Sequence, residues 1–300
     1  VKHDHLFAVR QAILDTLYAG ASPEFLSSEI GQIEIDDHVA GRSQKADATV
    51  IPWLSRIIDL QDKAIVEFGC GTGAIATTFA QHGARVHGYE IDPARAEAAR
   101  RRAALMELDS CAFDHAAADD LPEVVRAQWD GQADIALLFA VLEHTTHQES
   151  INLIRSAWSC LRPGGLMVVN DTPNRLSFFD YHTSHMPFFN NMSDEMVATE
   201  AYRSPRDGFK AAFADQPMTD QRREDLVRWG RGVSYHAFET AIGPQVHDYV
   251  ALTGFEKEIA DEWPIFLEDT LMMTYFKAKP IEAHEAFARS ALNLVLRKPE

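Results

Sequence analysis

Cysteine and positive charge are both scarce in this chain of 300 residues. The three cysteines, Cys70, Cys111 and Cys160, are widely separated and form no CxxC pair, which excludes a zinc ribbon and a disulfide framework and suits a reducing compartment. Lys and Arg total 28 against 45 Asp and Glu, a formal net charge of −17. Such an acidic body repels a phosphate backbone, so bulk nucleic acid is not an expected partner. Long apolar runs are also missing. The longest, Ile135 to Leu142, is far short of the ~20 residues a membrane-spanning helix needs, so no transmembrane segment is expected. The polar opening Val1-Lys2-His3-Asp4 carries no secretory pattern. A cytoplasmic location is the expectation. A chain that begins with Val and stops after Arg297-Lys298-Pro299-Glu300 leaves open fused domains in a longer polypeptide.

With 46% hydrophobic and 24% charged residues, the chain has enough apolar material for a large core. From Asp4 to Ala19, Leu6, Phe7, Val9, Ile13, Leu14 and Leu17 fall near helical spacing, and a short helix should follow Ser22-Pro23. Another helix is expected over Ala46 to Leu60. Short apolar runs then alternate with helical segments. Strands are expected at Ala64 to Phe68, Arg85 to Glu90, Cys111 to His115, Ala133 to Phe139 and Gly165 to Asn170, and helices near 73 to 82, 93 to 107 and 147 to 161. This alternation predicts an α/β fold with a doubly wound, mostly parallel sheet.

The stretch Asp171 to His236 breaks the rhythm, with Pro173, Pro187, Pro205 and Pro217 scattered through it, and is expected to be an insertion over the sheet's carboxyl edge. A helix near 237 to 252 should stop at Thr253-Gly254. Strands at Phe255 to Trp263 and Thr270 to Lys279 should form a C-terminal antiparallel hairpin, and Ile281 to Leu296 should be an amphipathic helix. The domain layout is therefore an N-terminal helical segment at 1–44, a core at 45–170 and 237–280, an inserted acceptor-binding cap at 171–236 and a helical tail at 281–300.

Glu67-Phe68-Gly69-Cys70-Gly71-Thr72-Gly73 directly follows the first strand and opens a helix, the place where a doubly wound sheet binds a nucleotide-like ligand. The spacing is GxGxG rather than the dinucleotide GxGxxG. Glu67 ahead of the loop suits the cationic ammonium and sulfonium of S-adenosylmethionine and suits a pyrophosphate poorly. Glu90, ending the second strand, is placed to accept ribose hydroxyls and serves either cofactor. Asp119 and Asp120 follow the third strand, where they meet the adenine amine or form a solvated acidic turn.

VEFGCGTG (66–73), GYEID (88–92), DDLP (119–122), LLFAVLEH (137–144) and LRPGGLMVVNDTPNR (161–175) together resemble the Rossmann-like, class I, seven-stranded S-adenosylmethionine-dependent methyltransferases. The resemblance covers about 45–175 and 237–279. It implies that Glu67, Gly69 and Gly71, with Cys70 between them, hold the methionine end, Glu90 the ribose, Ile91 the adenine face and Asp119 its amine. Asp120 is a further candidate for that amine. Phe139 is implied near the sulfonium. Gly73 is either a ligand contact or a packing position.

Methyl transfer from a sulfonium needs alignment and, for a hydroxyl acceptor, removal of a proton. His144, just after the fourth strand, is the first candidate base, with Glu143 orienting it or capping the loop. Glu143-His144 is similar to the ExxEH of the methyltransferases of ubiquinone biosynthesis and of small-RNA terminal methyltransferases, where it contributes a divalent metal site. Here Ala140 stands at the first Glu position, and His182 and His185 are the candidate replacements, so a divalent metal stays open. Phe178, Phe179, Tyr181, His182, His185, Phe188 and Phe189 crowd the start of the insertion, as an acceptor wall or as its own small core, and His182 joins the catalytic candidates.

No Asn/Asp-Pro-Pro-aromatic sequence follows the fourth strand, which disfavours methylation of an exocyclic amine. The expected function is therefore methyl transfer to a hydroxyl of a small molecule or glycan. A noncatalytic S-adenosylmethionine-binding module and an NAD-dependent oxidoreductase are the alternatives.

Overall fold

The structure, a computed structural model, describes residues 3–254, 267–278 and 282–300. Its strands form a seven-stranded sheet in the order β3-β2-β1-β4-β5-β7-β6. The chain divides into two compact units. The first is built on residues up to Leu137 with Ser159–Gly165, the second on Leu138–Trp158, Leu166–Gly254 and the described residues that follow.

The first unit opens with α1 (His3–Asp15) and α2 (Pro23–Ser27). Ser22 caps α2 by accepting from Phe25 N, with Pro23 at the first helical position. A longer helical run follows: α3 (Glu29–Asp36), a π-turn at Asp37–Gly41, α4 (Arg42–Lys45), a second π-turn at Ala46–Val50 and α5 (Ile51–Leu54). The helix expected over Ala46 to Leu60 is thus the end of a run that starts at Glu29 and stops at Leu54. Val9, Ile13, Tyr18, Ile35 and Val39 make the core of this N-terminal region.

The remaining elements alternate as expected: β1 (Ala64–Phe68), α6 (Ala74–Gln81), β2 (Arg85–Glu90), α7 (Pro93–Leu105), β3 (Cys111–His115), α8 (Leu121–Trp129) and β4 (Ala133–Phe139). β1 pairs with β2 and β2 with β3 in parallel. Asp92 caps α7, its carboxylate accepting from Ala94 N and Arg95 N. Asp134 holds the first strand's start, accepting from Ala64 N at 2.8 Å and Arg162 Nε at 2.7 Å.

The second unit carries α9 (His147–Cys160) and most of β5 (Leu161–Pro173), which extends past both ends of the strand expected at Gly165 to Asn170. Within residues 171–236 lie α10 (Asp194–Glu200), α11 (Asp207–Phe213) and α12 (Asp220–Trp229). Met186, Phe189, Val197, Phe209, Phe213 and Leu226 form a core of their own there. α13 (Tyr235–Ile242) is shorter than the helix expected near 237 to 252, because Gly243, at φ +120°, and Pro244 end it.

The C-terminal antiparallel pair exists, but other residues make it. β6 (Val250–Thr253) pairs with β7 (Ala291–Arg297), which pairs in turn with β5. The strand expected at Thr270 to Lys279 is instead a helix, α14 (Leu267–Ala278). Glu268, Met272 and Phe276, one turn apart, are buried, and the carboxylates of Glu268 and Asp269 accept from Phe179 N and Ser290 N. The helical tail expected over Ile281 to Leu296 is mainly strand. Leu292, Leu294 and Leu296 alternate at period two and are fully buried. The strand expected at Phe255 to Trp263 lies outside the described residues.

Candidate functional site

In the first unit, β1 delivers Glu67 and Phe68 to the glycine loop. Gly69 N and Cys70 N donate to Tyr89 O, at 2.8 and 3.1 Å, tying the loop to β2. Gly69, Gly71 and Gly73 all have positive φ, at 68°, 54° and 74°, which an L side chain adopts only with strain. They differ in what surrounds them. A Cβ on Gly71 meets nothing within 4 Å, so this glycine borders open space that a ligand can fill. A Cβ on Gly73 meets Ala99 and Phe113 at 3.0–3.1 Å, so this glycine is needed for packing. Cys70 is buried.

Glu67 is 1% exposed. Its Oε2 has no hydrogen-bond partner among the described residues. Burial, and then the nearby Glu90 carboxylate, push its pKa up to about 8, against a backbone N–H bond from Ala76. A buried carboxyl with a vacant oxygen can give up its proton to meet a cationic group, and the ammonium of S-adenosylmethionine is one. Glu90 Oε2 accepts from Gly71 N at 2.7 Å, and its Oε1 from Ile91 N and Asp92 N. Each oxygen has two lone pairs, so Oε2 keeps one for a ribose hydroxyl. Ile91 is 54% exposed, as an adenine-facing side chain has to be before ligand binds. Asp119 and Asp120 are exposed in the turn before α8.

Sequence reasoning missed Arg102 and His38 in this unit. Arg102 is 2% exposed, and its guanidinium donates to Thr72 O at 2.8 Å and to the carbonyls of Val39 and His38. His38 Nδ1 lies 3.3 Å from Thr72 Oγ1. Burial, and secondarily the surrounding arginines, pushes this imidazole down to about 3. The available signal was the face of α7: Ala96, Ala98, Ala99, Arg102 and Ala103 are its buried positions, so Arg102 sits among alanines.

In the second unit, Phe139 ends β4, Ala140 takes φ +46°, and a 3₁₀ turn spans Leu142–His144. Glu143 is 1% exposed, and apart from its own backbone N–H its carboxylate has no hydrogen-bond partner among the described residues. His144 Nε2 lies 3.7 Å from Glu143 Oε1, and His182 Nε2 4.0 Å from the same atom. The structure thus brings the three catalytic candidates together, one ligand atom from each within 4.8 Å of the others. His185 is exposed and is not in that group.

Burial, helped by Asp171, pushes Glu143 up to about 8 against a backbone hydrogen bond, and burial followed by His144 pushes His182 down to about 4. His182 is held by an Asp180-centred turn in which the carboxylate accepts from His182 N, Thr183 N and Ser184 Oγ. Two imidazoles and a buried carboxylate fit a divalent cation, and the nitrogen-rich set suits zinc or iron better than magnesium. The aromatic cluster of the insertion divides. Phe189 is buried in its core, whereas Phe178, Tyr181 and Phe188 are exposed.

Residues 65–165 match the family described as "Methyltransferase domain". The chain is 32% identical over 126 residues to a ubiquinone biosynthesis O-methyltransferase of Cupriavidus pinatubonensis, covering 41% of this chain and 46% of that protein. It is 29% identical over 132 residues to the protein of that name in Pseudomonas aeruginosa, covering 43% of this chain and 53% of that one. The chain thus spans about half the length of the curated relatives it matches. Among solved structures it is similar to magnesium protoporphyrin IX methyltransferase of Synechocystis PCC 6803 with bound S-adenosylmethionine. There the identity is 20% and the TM-score 0.39, over 64% of this chain and 84% of that one. The matched stretch runs from β1 through the glycine loop into β5 and takes in Glu67, Glu90 and Glu143. The match marks residues 65–165 as similar to a methyltransferase domain.

Proposed function

We propose that this chain transfers a methyl group from S-adenosylmethionine to a hydroxyl of a small molecule or glycan, with Glu143, His144 and His182 handling the acceptor. The observation that carries this reading is the buried Glu143 carboxylate, which lies 3.7 and 4.0 Å from two imidazole Nε2 atoms and has no side-chain hydrogen bond among the described residues. The curated relatives' name, O-methyltransferase, supports an oxygen acceptor, as does the missing amine-binding motif after β4. Glu67, Gly69, Gly71, Glu90, Ile91 and Asp119 are the proposed cofactor contacts, with Cys70, Asp120 and Phe139 beside them. Residues 171–236 are the proposed acceptor cap.

Bound S-adenosylmethionine supplies an electrophilic methyl on a positively charged sulfur. The protein then has to hold the acceptor in line, exclude water and take one proton. His144 Nε2 accepts the hydroxyl proton, and Glu143 in its ionised form stabilises the imidazolium so formed. A divalent cation held by Glu143, His144 and His182 would instead lower the acceptor's pKa as a Lewis acid.

Labelled S-adenosylmethionine offered with a panel of phenols and sugars, before and after dialysis against a chelator, tests the proposal. The expected result is label on an acceptor oxygen, and a loss of about 10²–10⁴-fold in transfer in His144→Ala with S-adenosylhomocysteine affinity unchanged. Label on nitrogen would overturn the hydroxyl assignment. S-adenosylhomocysteine binding with no acceptor labelled from a broad metabolite extract would favour a noncatalytic module.

A further inference from the structure

We propose that the last turn of α12, Arg228 to Gly230, orients the acceptor cluster by holding both imidazoles in the Nδ1–H tautomer, so that both Nε2 lone pairs face Glu143. The significance of this device rests on the function proposed above; the tautomers themselves do not. The final carbonyls of a helix have no partner within it. Here the site's own donors take them. His144 Nδ1 lies 2.8 Å from Arg228 O. Thr183 Oγ1 lies 3.0 Å from Trp229 O and 2.5 Å from Gly230 O.

A carbonyl only accepts, so His144 Nδ1 carries the proton. The single Thr183 hydroxyl proton is likewise committed to a carbonyl. Its oxygen can therefore only accept from His182 Nδ1, 3.0 Å away, and that nitrogen also carries the proton. In a neutral imidazole the other nitrogen, Nε2, then bears the lone pair. These are the two atoms that lie 3.7 and 4.0 Å from Glu143 Oε1.

Gly230 is part of the device. It sits at φ +107°, and a Cβ there would come within 3.0 Å of His182 Cε1 and Nδ1, so the ring occupies the room a side chain would take. The turn is itself fastened to the loop it orients. Arg228 donates to His144 O at 3.0 Å and bidentately to Glu149 at 2.7 and 2.9 Å, and Arg231 N donates to Glu143 O at 3.2 Å. Thr183, Arg228 and Gly230 are thus positioning residues, contributed by the segment proposed as the acceptor cap.

Nitrogen-15 spectra of the histidine-labelled full chain, with His144→Gln and His182→Gln for assignment, test this directly. Both rings are expected to be Nδ1-protonated in the wild type. In Thr183→Val only His182 should change, losing that preference, and Thr183→Ser should restore it. Titration of Thr183→Val with Zn²⁺ should show affinity weakened about 10–100-fold, the usual cost of losing an orienting partner, with S-adenosylhomocysteine affinity unchanged. A wild type in which either ring is Nε2-protonated, or a Thr183→Val spectrum identical to wild type, would overturn the proposal. Predicted tautomers in a protein that methylates nothing would uphold it and overturn the hydroxyl-transfer function instead.

Discussion

Glu67 buries a carboxyl beside the glycine loop and leaves one of its oxygens without a partner. With a pKa raised to about 8, it is mostly protonated at neutral pH in the free protein. A ligand ammonium favours the ionised form, so binding should release a proton and tighten as pH rises from 6.5 toward 8.5. Calorimetry of S-adenosylhomocysteine binding in buffers of different ionisation enthalpy measures that proton. Glu67→Gln should bind more weakly and without the pH dependence. His38 makes the opposite kind of prediction, about folding. The unfolded imidazole titrates near 6.5 and the folded one near 3. Below about pH 6.5 the unfolded chain gains a proton that the folded chain refuses, so stability falls as pH drops toward 3. Denaturation of His38→Asn between pH 6.5 and 4.5 should give a shallower slope than wild type. Glu67 was visible in the sequence because it adjoins a glycine loop. His38 and Arg102 were not, because their partners are main-chain carbonyls and a threonine 30 to 64 residues away.

Elements followed the sequence where neighbours in the chain are neighbours in the fold. β1, β2, β3 and β4 have the expected boundaries, each being a short segment between a helix stop and a loop. The C-terminal elements were misassigned because tertiary packing decides them. Thr270 to Lys279 is rich in β-branched and aromatic residues, yet Glu268, Met272 and Phe276 bury one helical stripe. In β7, pairing on both sides with β5 and β6 overrides whatever helical pattern Ile281 to Leu296 offers. Leu294→Ala in β7 should therefore behave as a core truncation, costing about 2–5 kcal/mol in denaturant unfolding. The segment 171–236 was legible only as a break in rhythm. Its helix α12 does carry local signals, a Thr219 cap and the Trp229-Gly230 stop, from which the end of that helix beside His182 is one step removed. At α12 the Arg228–Glu149 pair holds Glu149 down to about 2, chiefly through the Arg228 hydrogen bond. The pair is partly exposed, so its removal in Glu149→Gln should cost only about 0.2–1 kcal/mol. That small loss, measured by denaturation, should disappear in the wild type as pH falls from about 4.5 toward 2.

The glycine loop is written in contiguous residues, whereas the cluster of Glu143, His144 and His182 is assembled from distant ones. Glu143 and His144 lie on one side of α9 in the chain and His182 on the other, in the segment that departs most from the repeating strand-helix pattern. That is why the methyl donor could be read from the sequence and the acceptor could not. No helix among the described residues is long and apolar enough to cross a membrane. The most direct test of the central claim is calorimetric titration of the intact chain with S-adenosylhomocysteine and, separately, with NADH, repeated on Gly71→Arg. The account predicts one S-adenosylhomocysteine per chain, no NADH binding, and loss of the site when a side chain fills the open space at Gly71. NADH binding in place of S-adenosylhomocysteine, or S-adenosylhomocysteine bound equally well by a folded Gly71→Arg, would contradict it.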